Sequence, residues 1–161
     1  MIDTDVIRRA ETLLQICRDA GVTVATVESC TGGLVAGSLT EVAGSSDVVD
    51  RGFVTYTNEA KNELVGVPME LFVKEIGAVS EEVARAMAAG GLAKSRADIA
   101  VGITGVAGPG QSENKPAGLV HICAVRKGGA TIHERCMFDG DRTQVRKASV
   151  LKAFELIEAL I

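Results

Sequence analysis

The chain has 161 residues, of which 47% are hydrophobic, enough for one well-buried core, and we expect a single domain spanning residues 1–161. Seventeen basic and 21 acidic side chains leave a net charge of -4, so we expect no general binding to nucleic acid or to an anionic membrane surface. No apolar run approaches the ~20 residues of a membrane span, and the amphipathic N-terminus lacks the apolar core of a signal peptide, so we expect a cytoplasmic protein.

The first half of the chain predicts an α-β-α opening followed by a second strand. Apolar residues recur at helical spacing up to Gly21, a typical helix stop, and alternating or continuous apolar runs then indicate strands. In order, the pattern predicts a helix over 4–20, a strand over 22–29, a helix over 32–43, a strand over 51–56, and a short helix capped by Asn58 that runs to Leu64.

The second half predicts helices, a strand and then a late hairpin. The predicted elements are a short helix over 68–75, a helix opened by Ser80 that runs to about Lys94, a strand over 98–104, strands over 119–125 and 131–137, and a helix over 141–160. This order predicts a three-layer α/β/α sandwich with a mixed, mostly parallel sheet. The apolar last helix and the Ala-rich segment around residues 82–93 offer interface surfaces, so we expect a homo-oligomer.

The cysteine and histidine pattern argues against cross-links and metals. The four cysteines contain no C-x-x-C pair, and neither His121 nor His133 stands at a zinc-ligand spacing from a cysteine or acidic residue. We expect reduced thiols, no metal and no cofactor, with both histidines structural.

The turn from Ser29 to Gly33 joins an apolar strand to a helical pattern. The first N–H groups of a helix lack partners and favour negative charge, and Gly32 and Gly33 let another group approach the backbone. This turn indicates a site for a phosphate, a carboxylate or an oxyanion, with Ser29 as a candidate nucleophile. The alternative is that Ser29 or Thr31 only caps the helix. The neighbouring Cys30 points to the opposite face of the extended segment, and we expect it to be buried.

Three loops rich in small or polar residues follow predicted strands: Ser29 to Gly33, Tyr56 to Lys61, and Thr104 to Gly110. If those strands are parallel, the loops meet in one cleft at the carboxyl edge of the sheet. The hydroxyl and backbone N–H groups of the third loop can bind a phosphate, although such loops are also often simple turns. The candidate contacts in that loop are Thr104, Gly105, Gly108 and Gly110.

Five motifs resemble, in order, those of the CinA C-terminal domain family. They are Glu28-Ser29-Cys30-Thr31-Gly32-Gly33, Tyr56-Thr57-Asn58-Glu59-Ala60-Lys61, Thr104-Gly105-Val106-Ala107-Gly108-Pro109, Lys115-Pro116-Ala117-Gly118-Leu119-Val120, and Gly140-Asp141-Arg142-x-x-Val145-Arg146. The resemblance spans nearly the whole chain. It implies a deamidase that hydrolyses nicotinamide mononucleotide, a pyridine nucleotide, to nicotinate mononucleotide and ammonia. Larger members carry a preceding domain that resembles molybdopterin-binding proteins, and we expect a stand-alone C-terminal domain here.

By position in the matched motifs, the resemblance makes Ser29 the nucleophile and Lys61 its base, with Tyr56 either relaying a proton or orienting Lys61. A lysine activates a serine only when burial removes its proton. N–H groups around Thr31 to Gly33 are expected to stabilise the oxyanion. The glutamate Glu28 is expected to be buried with a hydrogen-bond partner rather than catalytic.

Two arginines one turn apart near the start of the last helix, Arg142 and Arg146, can form a clamp for the phosphate or a solvated face. The resemblance favours Arg142 for the phosphate and leaves Arg146 open to a subunit interface. Asn58 either caps its helix or contacts substrate. One departure from the family is Gln111-Ser112-Glu113-Asn114, where further glycine is common, and it weakens the expectation of phosphate or ribose contacts there.

Two alternatives to the deamidase remain open at this point. One is a serine amidase that acts on another small amide or nucleotide. The other is a non-catalytic nucleotide-binding or competence-associated module, because the glycine loops and Arg142 would bind an anion with or without chemistry at Ser29.

Overall fold

The computed structural model describes residues 1–161 and contains five α-helices and five β-strands. In chain order the elements are α1 (Thr4–Ala20), β1 (Val24–Glu28), α2 (Leu34–Thr40), β2 (Val49–Val54), α3 (Asn58–Val65), α4 (Glu81–Ala93), β3 (Ile99–Gly105), β4 (Leu119–Arg126), β5 (Thr131–Met137) and α5 (Arg142–Glu158), with single 3-10 turns at Ser45–Asp47 and Met69–Leu71. None of the helices combines the length and the apolar character needed to cross a bilayer.

The strands form one mixed sheet in the order β2-β1-β3-β4-β5. Strand β1 pairs in parallel with β2 and β3, whereas β4 is antiparallel to β3 and to β5, and the β4–β5 pair is the predicted hairpin. Alternate residues of β3 face opposite layers: Ile99, Val101 and Ile103 join the core with α1, α2 and α5, while Ala100 faces the layer that contains α4. The predicted three-layer α/β/α sandwich is therefore confirmed.

Several local predictions are confirmed, and others are wrong. Gly21 ends α1 in the left-handed conformation, and the hydroxyl of Ser80 caps α4 by accepting a hydrogen bond from the N–H of Val83. The cap of α3 is Thr57 rather than Asn58, because the Thr57 hydroxyl accepts from the N–H of Ala60 at 3.0 Å. Asn58 is instead the first residue of the helix.

The helix predicted over 68–75 is a single 3-10 turn, Met69–Leu71. Leu71 in this turn and Phe72, the residue after it, pack against a small apolar cluster. Tertiary contacts rather than a helical repeat therefore determine the backbone here. Helix α2 begins later than predicted because Gly32 and Gly33 both have positive φ, at 59° and 98°, outside the right-handed helical region.

The surfaces predicted to form a subunit interface are used within the chain. Val83 and Met87 of α4 pack on one face of the sheet, and Phe154 and Ile157 of α5 are fully buried against the other. The homo-oligomer stays a prediction without an assigned surface.

The two histidines stack on each other, with a centroid distance of 5.2 Å and 2.9 Å between Nδ1 of His121 and Nε2 of His133. The carboxylate of Glu81 lies 3.5 Å from Nδ1 of His133, a neighbour that sequence spacing could not reveal. Burial and the second ring lower the pKa of His121 to about 4, so this ring is neutral at neutral pH.

Candidate active site

A cleft of about 340 Å³ lies where the loops after β1, β2 and β3 meet. These three strands are mutually parallel, so their carboxyl ends reach the same edge of the sheet. The predicted site residues that line this cleft are Ser29, Tyr56, Asn58, Lys61, Thr104, Gly105, Gly108, Gly110 and Arg142.

Ser29 and Lys61 are in hydrogen-bonding contact at the base of the cleft. The Lys61 amine lies 3.0 Å from the Ser29 hydroxyl, 2.9 Å from the carbonyl of Thr55 and 3.2 Å from the carbonyl of Tyr56. Lys61 is only 1% exposed and Ser29 only 9% exposed. The position therefore meets the condition that a lysine base must be buried.

The local fold brings this amine to the serine. Thr57 caps α3, so Lys61 stands one turn into the helix and its side chain runs back along the end of β2. The N–H of Thr55 bonds to the carbonyl of Glu28, and the N–H of Ser29 bonds to the carbonyl of Ile103. Ser29 is thus fixed to β3, while Thr55, whose carbonyl binds the Lys61 amine, is fixed to the end of β1.

Burial lowers the pKa of Lys61, because removing the ammonium from water penalises its charged form, while the charge of Glu113 acts in the opposite direction. A neutral amine has two N–H donors and one lone pair. The carbonyls of Thr55 and Tyr56 can take the two donors, which leaves the lone pair directed at the hydroxyl of Ser29. The neutral form is therefore arranged to accept the serine proton.

The N-terminus of α2 does not present its amides to the cleft. The carboxylate of Glu28 accepts hydrogen bonds from the N–H groups of Val35 at 2.8 Å and Ala36 at 3.0 Å. Glu28 is 1% exposed, which confirms the expectation of a buried, hydrogen-bonded glutamate. The interpretation of this helix start as a free anion site is wrong, because the protein's own carboxylate already occupies it.

Three predicted contacts, Thr31, Gly32 and Gly33, lie outside the cleft lining. Thr31 is fully buried, and its hydroxyl has no hydrogen-bond partner. The Arg146 guanidinium donates to the carbonyls of Cys30 and Thr31, each at 3.1 Å, and covers Gly32. Arg146 thus holds the turn in place inside the chain, a role that its position four residues after Arg142 did not indicate.

Cys30 is buried as expected, with its side chain and backbone 6% exposed overall. Burial raises the pKa of its thiol to about 11, so the thiol is protonated and a poor nucleophile at neutral pH. No backbone carbonyl accepts a hydrogen bond from its N–H, which lies beside its own sulfur, and Cys30 lines the cleft. The cleft lining next to Ser29 thus includes a residue whose backbone amide is not used by any carbonyl.

Tyr56 and Arg142 contact each other at the exposed side of the cleft. The tyrosine is 59% exposed, and its hydroxyl accepts a hydrogen bond from Nη2 of Arg142 at 3.3 Å. Nη1 of Arg142 donates to the carbonyl of Gly108 at 2.7 Å. Tyr56 therefore reaches Lys61 through its backbone carbonyl and reaches Arg142 through its side chain.

The loop after β3 is held in place by contacts with other segments of the chain and by two glycines in the left-handed conformation. The hydroxyl of Thr104 donates to the carbonyl of Ala78 at 2.7 Å, which leaves only its lone pairs for a ligand. Gly105 packs so closely on Val120 that a Cβ would lie 2.7 Å from its side chain. Gly108 and Gly110 have positive φ, at 89° and 76°, and turn the loop over the cleft.

Sequence analysis missed Glu113 and Lys115. Glu113 lines the cleft, and its carboxylate accepts hydrogen bonds from the N–H groups of Ala78 at 3.0 Å and Val79 at 3.2 Å. The Lys115 amine lies 3.4 Å from this carboxylate and donates to the carbonyls of Ile76 and Val79. Burial raises the pKa of Glu113, but these N–H groups and Lys115 together outweigh burial and hold it below its usual value. The sequence signals were the departure from the family at Gln111-Ser112-Glu113-Asn114 and the motif that begins at Lys115, and neither gave these two side chains a role.

Comparison with known proteins agrees with this fold. The family model described as the CinA C-terminal domain matches residues 7–161. The Escherichia coli (strain K12) protein named nicotinamide-nucleotide amidohydrolase PncC is 45% identical over 158 residues, which cover 98% of this chain and 95% of that protein. A putative competence-damage inducible protein of Caldicellulosiruptor bescii is 44% identical over 152 residues, which cover 94% of this chain but 36% of that protein.

Two solved structures share this fold. The competence/damage inducible protein CihA from Agrobacterium tumefaciens superposes with a TM-score of 0.93 at 47% identity, covering 99% of this chain and 98% of that chain. A CinA superfamily protein from Escherichia coli superposes with a TM-score of 0.91 at 32% identity, covering 100% of this chain and 94% of that chain.

Proposed function

The chain belongs to the CinA C-terminal domain family, and we propose that it hydrolyses the carboxamide of nicotinamide mononucleotide to nicotinate mononucleotide and ammonia. The observation that carries this proposal is the buried contact of 3.0 Å between the Lys61 amine and the Ser29 hydroxyl. It supplies a nucleophile and a base at one end of a cleft, as amide hydrolysis through an acyl-enzyme requires.

In the first step, neutral Lys61 takes the proton of Ser29 as the serine oxygen attacks the carboxamide carbon. A C–O bond forms, and the carbonyl π electrons move to the oxygen to give a tetrahedral oxyanion. The carbonyls of Thr55 and Tyr56 accept hydrogen bonds from Lys61 and stabilise the ammonium that results.

We assign the oxyanion to the N–H of Cys30, the residue that follows the nucleophile, because no backbone carbonyl accepts a hydrogen bond from it. One such donor contributes about 3 kcal/mol to the stability of a transition state. The amides of Thr31 to Gly33, which the sequence suggested for this role, belong to a turn outside the cleft lining.

In the second step, the Lys61 ammonium donates its proton to the amide nitrogen, the C–N bond breaks, and ammonia leaves an ester of Ser29. Water then attacks the ester while Lys61 accepts a proton from it. The C–O bond to Ser29 breaks, the serine regains its proton from Lys61, and the acid is released.

The substrate phosphate is assigned to Arg142. Its guanidinium is anchored by the hydroxyl of Tyr56 and the carbonyl of Gly108 while it lines the cleft. Arginine binds phosphate through several donors of a planar group, which gives both charge and orientation. Asn58 and the loop from Thr104 to Gly110 are proposed to contact the remainder of the nucleotide.

We also propose a cytoplasmic location, because the four cysteines are free and buried, a pattern that suits a reducing compartment.

The test is ammonia release from nicotinamide mononucleotide by the purified protein, with the acid product identified by mass. Ser29→Ala is expected to lose release by roughly 10⁴-fold or more, and Ser46→Ala, an exposed serine, serves as the matched control. Absence of release from the wild type at every pH where it stays folded would overturn the proposal.

The same assay separates the two alternatives. Equal turnover of nicotinamide riboside would indicate an amidase for which phosphate is unimportant. Equal ligand affinity in wild type and Ser29→Ala, without turnover in either, would indicate a nucleotide-binding module.

A further inference from the structure

Glu113 is the only acidic residue that lines the active-site cleft. Its carboxylate is fixed by the N–H groups of Ala78 and Val79, which belong to the segment that leads into α4. Gly77 leaves the space that this carboxylate needs, because a Cβ at Gly77 would lie 2.5 Å from Oε2 of Glu113. A negative charge is therefore built into the cleft at a defined position.

The other ionisable groups of the cleft lining are Lys61, Tyr56, Cys30 and Arg142. Lys61 is neutral in the form that can act as a base, and the Cys30 thiol is protonated. The cleft in its reactive form thus presents one positive charge, on Arg142, and one negative charge, on Glu113. The two charges are held by different walls: Arg142 by Tyr56 and Gly108, and Glu113 by Ala78 and Val79.

This pair of charges matches the proposed substrate. Nicotinamide mononucleotide carries a positive charge on its pyridinium ring and a negative charge on its phosphate. With the phosphate at Arg142 and the carboxamide at Ser29, the ring enters the part of the cleft near Lys61. Glu113 and Lys61 line the same cleft, and the charge of Glu113 opposes the lowering of the Lys61 pKa by burial, so this carboxylate acts on charges at the reacting end.

Resting on the proposed function, we propose that Glu113 is a specificity-determining residue whose carboxylate favours the cationic ring of the substrate and disfavours the carboxylate of the product. Hydrolysis converts a neutral carboxamide into a carboxylate, so the product carries one more negative charge than the substrate. A fixed carboxylate in a partly desolvated cleft repels that new charge. Glu113 therefore promotes product release as well as substrate selection.

The ammonium of Lys115 lies beside Glu113 but not in the cleft lining. Two carbonyls, those of Ile76 and Val79, also accept hydrogen bonds from this ammonium. Lys115 reduces the field of Glu113 without removing it, and its main contacts hold the wall on which Glu113 rests.

The experiment measures the dissociation constants of nicotinamide mononucleotide and nicotinate mononucleotide by calorimetry. Ser29→Ala serves as the background, so that no turnover occurs. Adding Glu113→Gln is expected to lower the ratio of product Kd to substrate Kd by roughly tenfold, because it removes the repulsion of the product carboxylate, whereas the attraction to the cationic ring is common to both ligands and cancels in the ratio. Glu63→Gln, which neutralises an exposed carboxylate on α3, is the matched control and is expected to leave the ratio unchanged.

A purely structural role for Glu113 would weaken both ligands in parallel, and an unchanged ratio would overturn the proposal. Glu113→Asp retains the charge on a shorter side chain. It is expected to preserve the ratio even where both affinities fall, and a collapse of the ratio in this variant would also count against the charge. If wild-type protein releases no ammonia from nicotinamide mononucleotide, the proposed function fails. If it releases ammonia but the ratio does not change in Glu113→Gln, only this inference fails.

Discussion

The side-chain amine of Lys61 lies 3.0 Å from the hydroxyl of Ser29, across 32 positions of sequence, and both groups are buried. The remaining hydrogen-bonding capacity of the amine goes to two backbone carbonyls, those of Thr55 and Tyr56. Because these carbonyls fix the orientation of the amine, its lone pair has one available partner, the serine proton.

Replacing Lys61 with methionine tests its role as a base. Lys61→Met is expected to lower kcat by roughly 10³-fold, because general-base assistance is lost, while the protein stays folded. A side chain of similar length fills the site without a buried amine, so the melting temperature should not fall sharply. Ammonia release and thermal unfolding are measured together. Lys94→Met, at an exposed lysine, is the control, and activity within a few-fold of wild type would contradict the role.

The pH dependence of activity follows from the lowered pKa of Lys61. Only the neutral amine can accept the Ser29 proton, so kcat/KM is expected to rise about tenfold per pH unit below that pKa and to level off above it. The check is a pH profile of ammonia release with the folded fraction monitored at each point. A rate that falls as the pH rises through neutrality would exclude Lys61 as the base.

The same lowered pKa predicts how stability depends on pH. Between the lowered folded-state pKa of Lys61 and its ordinary value of 10.5, the unfolded chain binds a proton that the native protein does not. The free energy of unfolding therefore rises with pH in this window. Urea unfolding at several pH values should show a shallower rise in Lys61→Met than in wild type. Identical slopes in the two proteins would mean that Lys61 keeps an ordinary pKa.

Arg142→Gln tests the assignment of the phosphate. The variant is expected to raise KM for nicotinamide mononucleotide about 10- to 100-fold, the effect of losing a charge-assisted contact. Turnover of nicotinamide riboside, which lacks the phosphate, should change little. Arg8→Gln, at an exposed arginine of α1, provides the control. An equal loss of activity with both substrates would show that Arg142 acts by holding Tyr56 and Gly108 in place instead of by binding the phosphate.

Glu28→Ala tests the internal cap of α2. Its carboxylate satisfies the N–H groups of Val35 and Ala36, and removing it leaves both amides without an acceptor. The expected loss is about 2 kcal/mol, or roughly 4–8 °C in melting temperature for a chain of this size. Thermal unfolding measures it, with Glu41→Ala at the other end of α2 as the control. Unchanged stability would show that water replaces the carboxylate.

Much of the fold could be predicted because its signals are local. The left-handed Gly21 after α1, the Ser80 cap and the turn of the late hairpin each act within a few residues, so a short window of sequence contains the cause. The helix predicted over 68–75 was wrong for the opposite reason, since packing of Leu71 and Phe72 decides that backbone.

The sequence by itself determined the order of elements, the three-layer class and the motifs that carry Ser29 and Lys61, because periodicity, caps and motif spacing are properties of neighbouring residues. Only the tertiary structure decided which polar groups meet. Glu28, rather than a ligand, occupies the start of α2; Arg146 holds the turn after Ser29; and Glu113 enters the cleft from a loop 34 and 35 residues beyond its amide partners. Such contacts depend on strand order and on the direction of each side chain, and these follow from the packing of the whole chain.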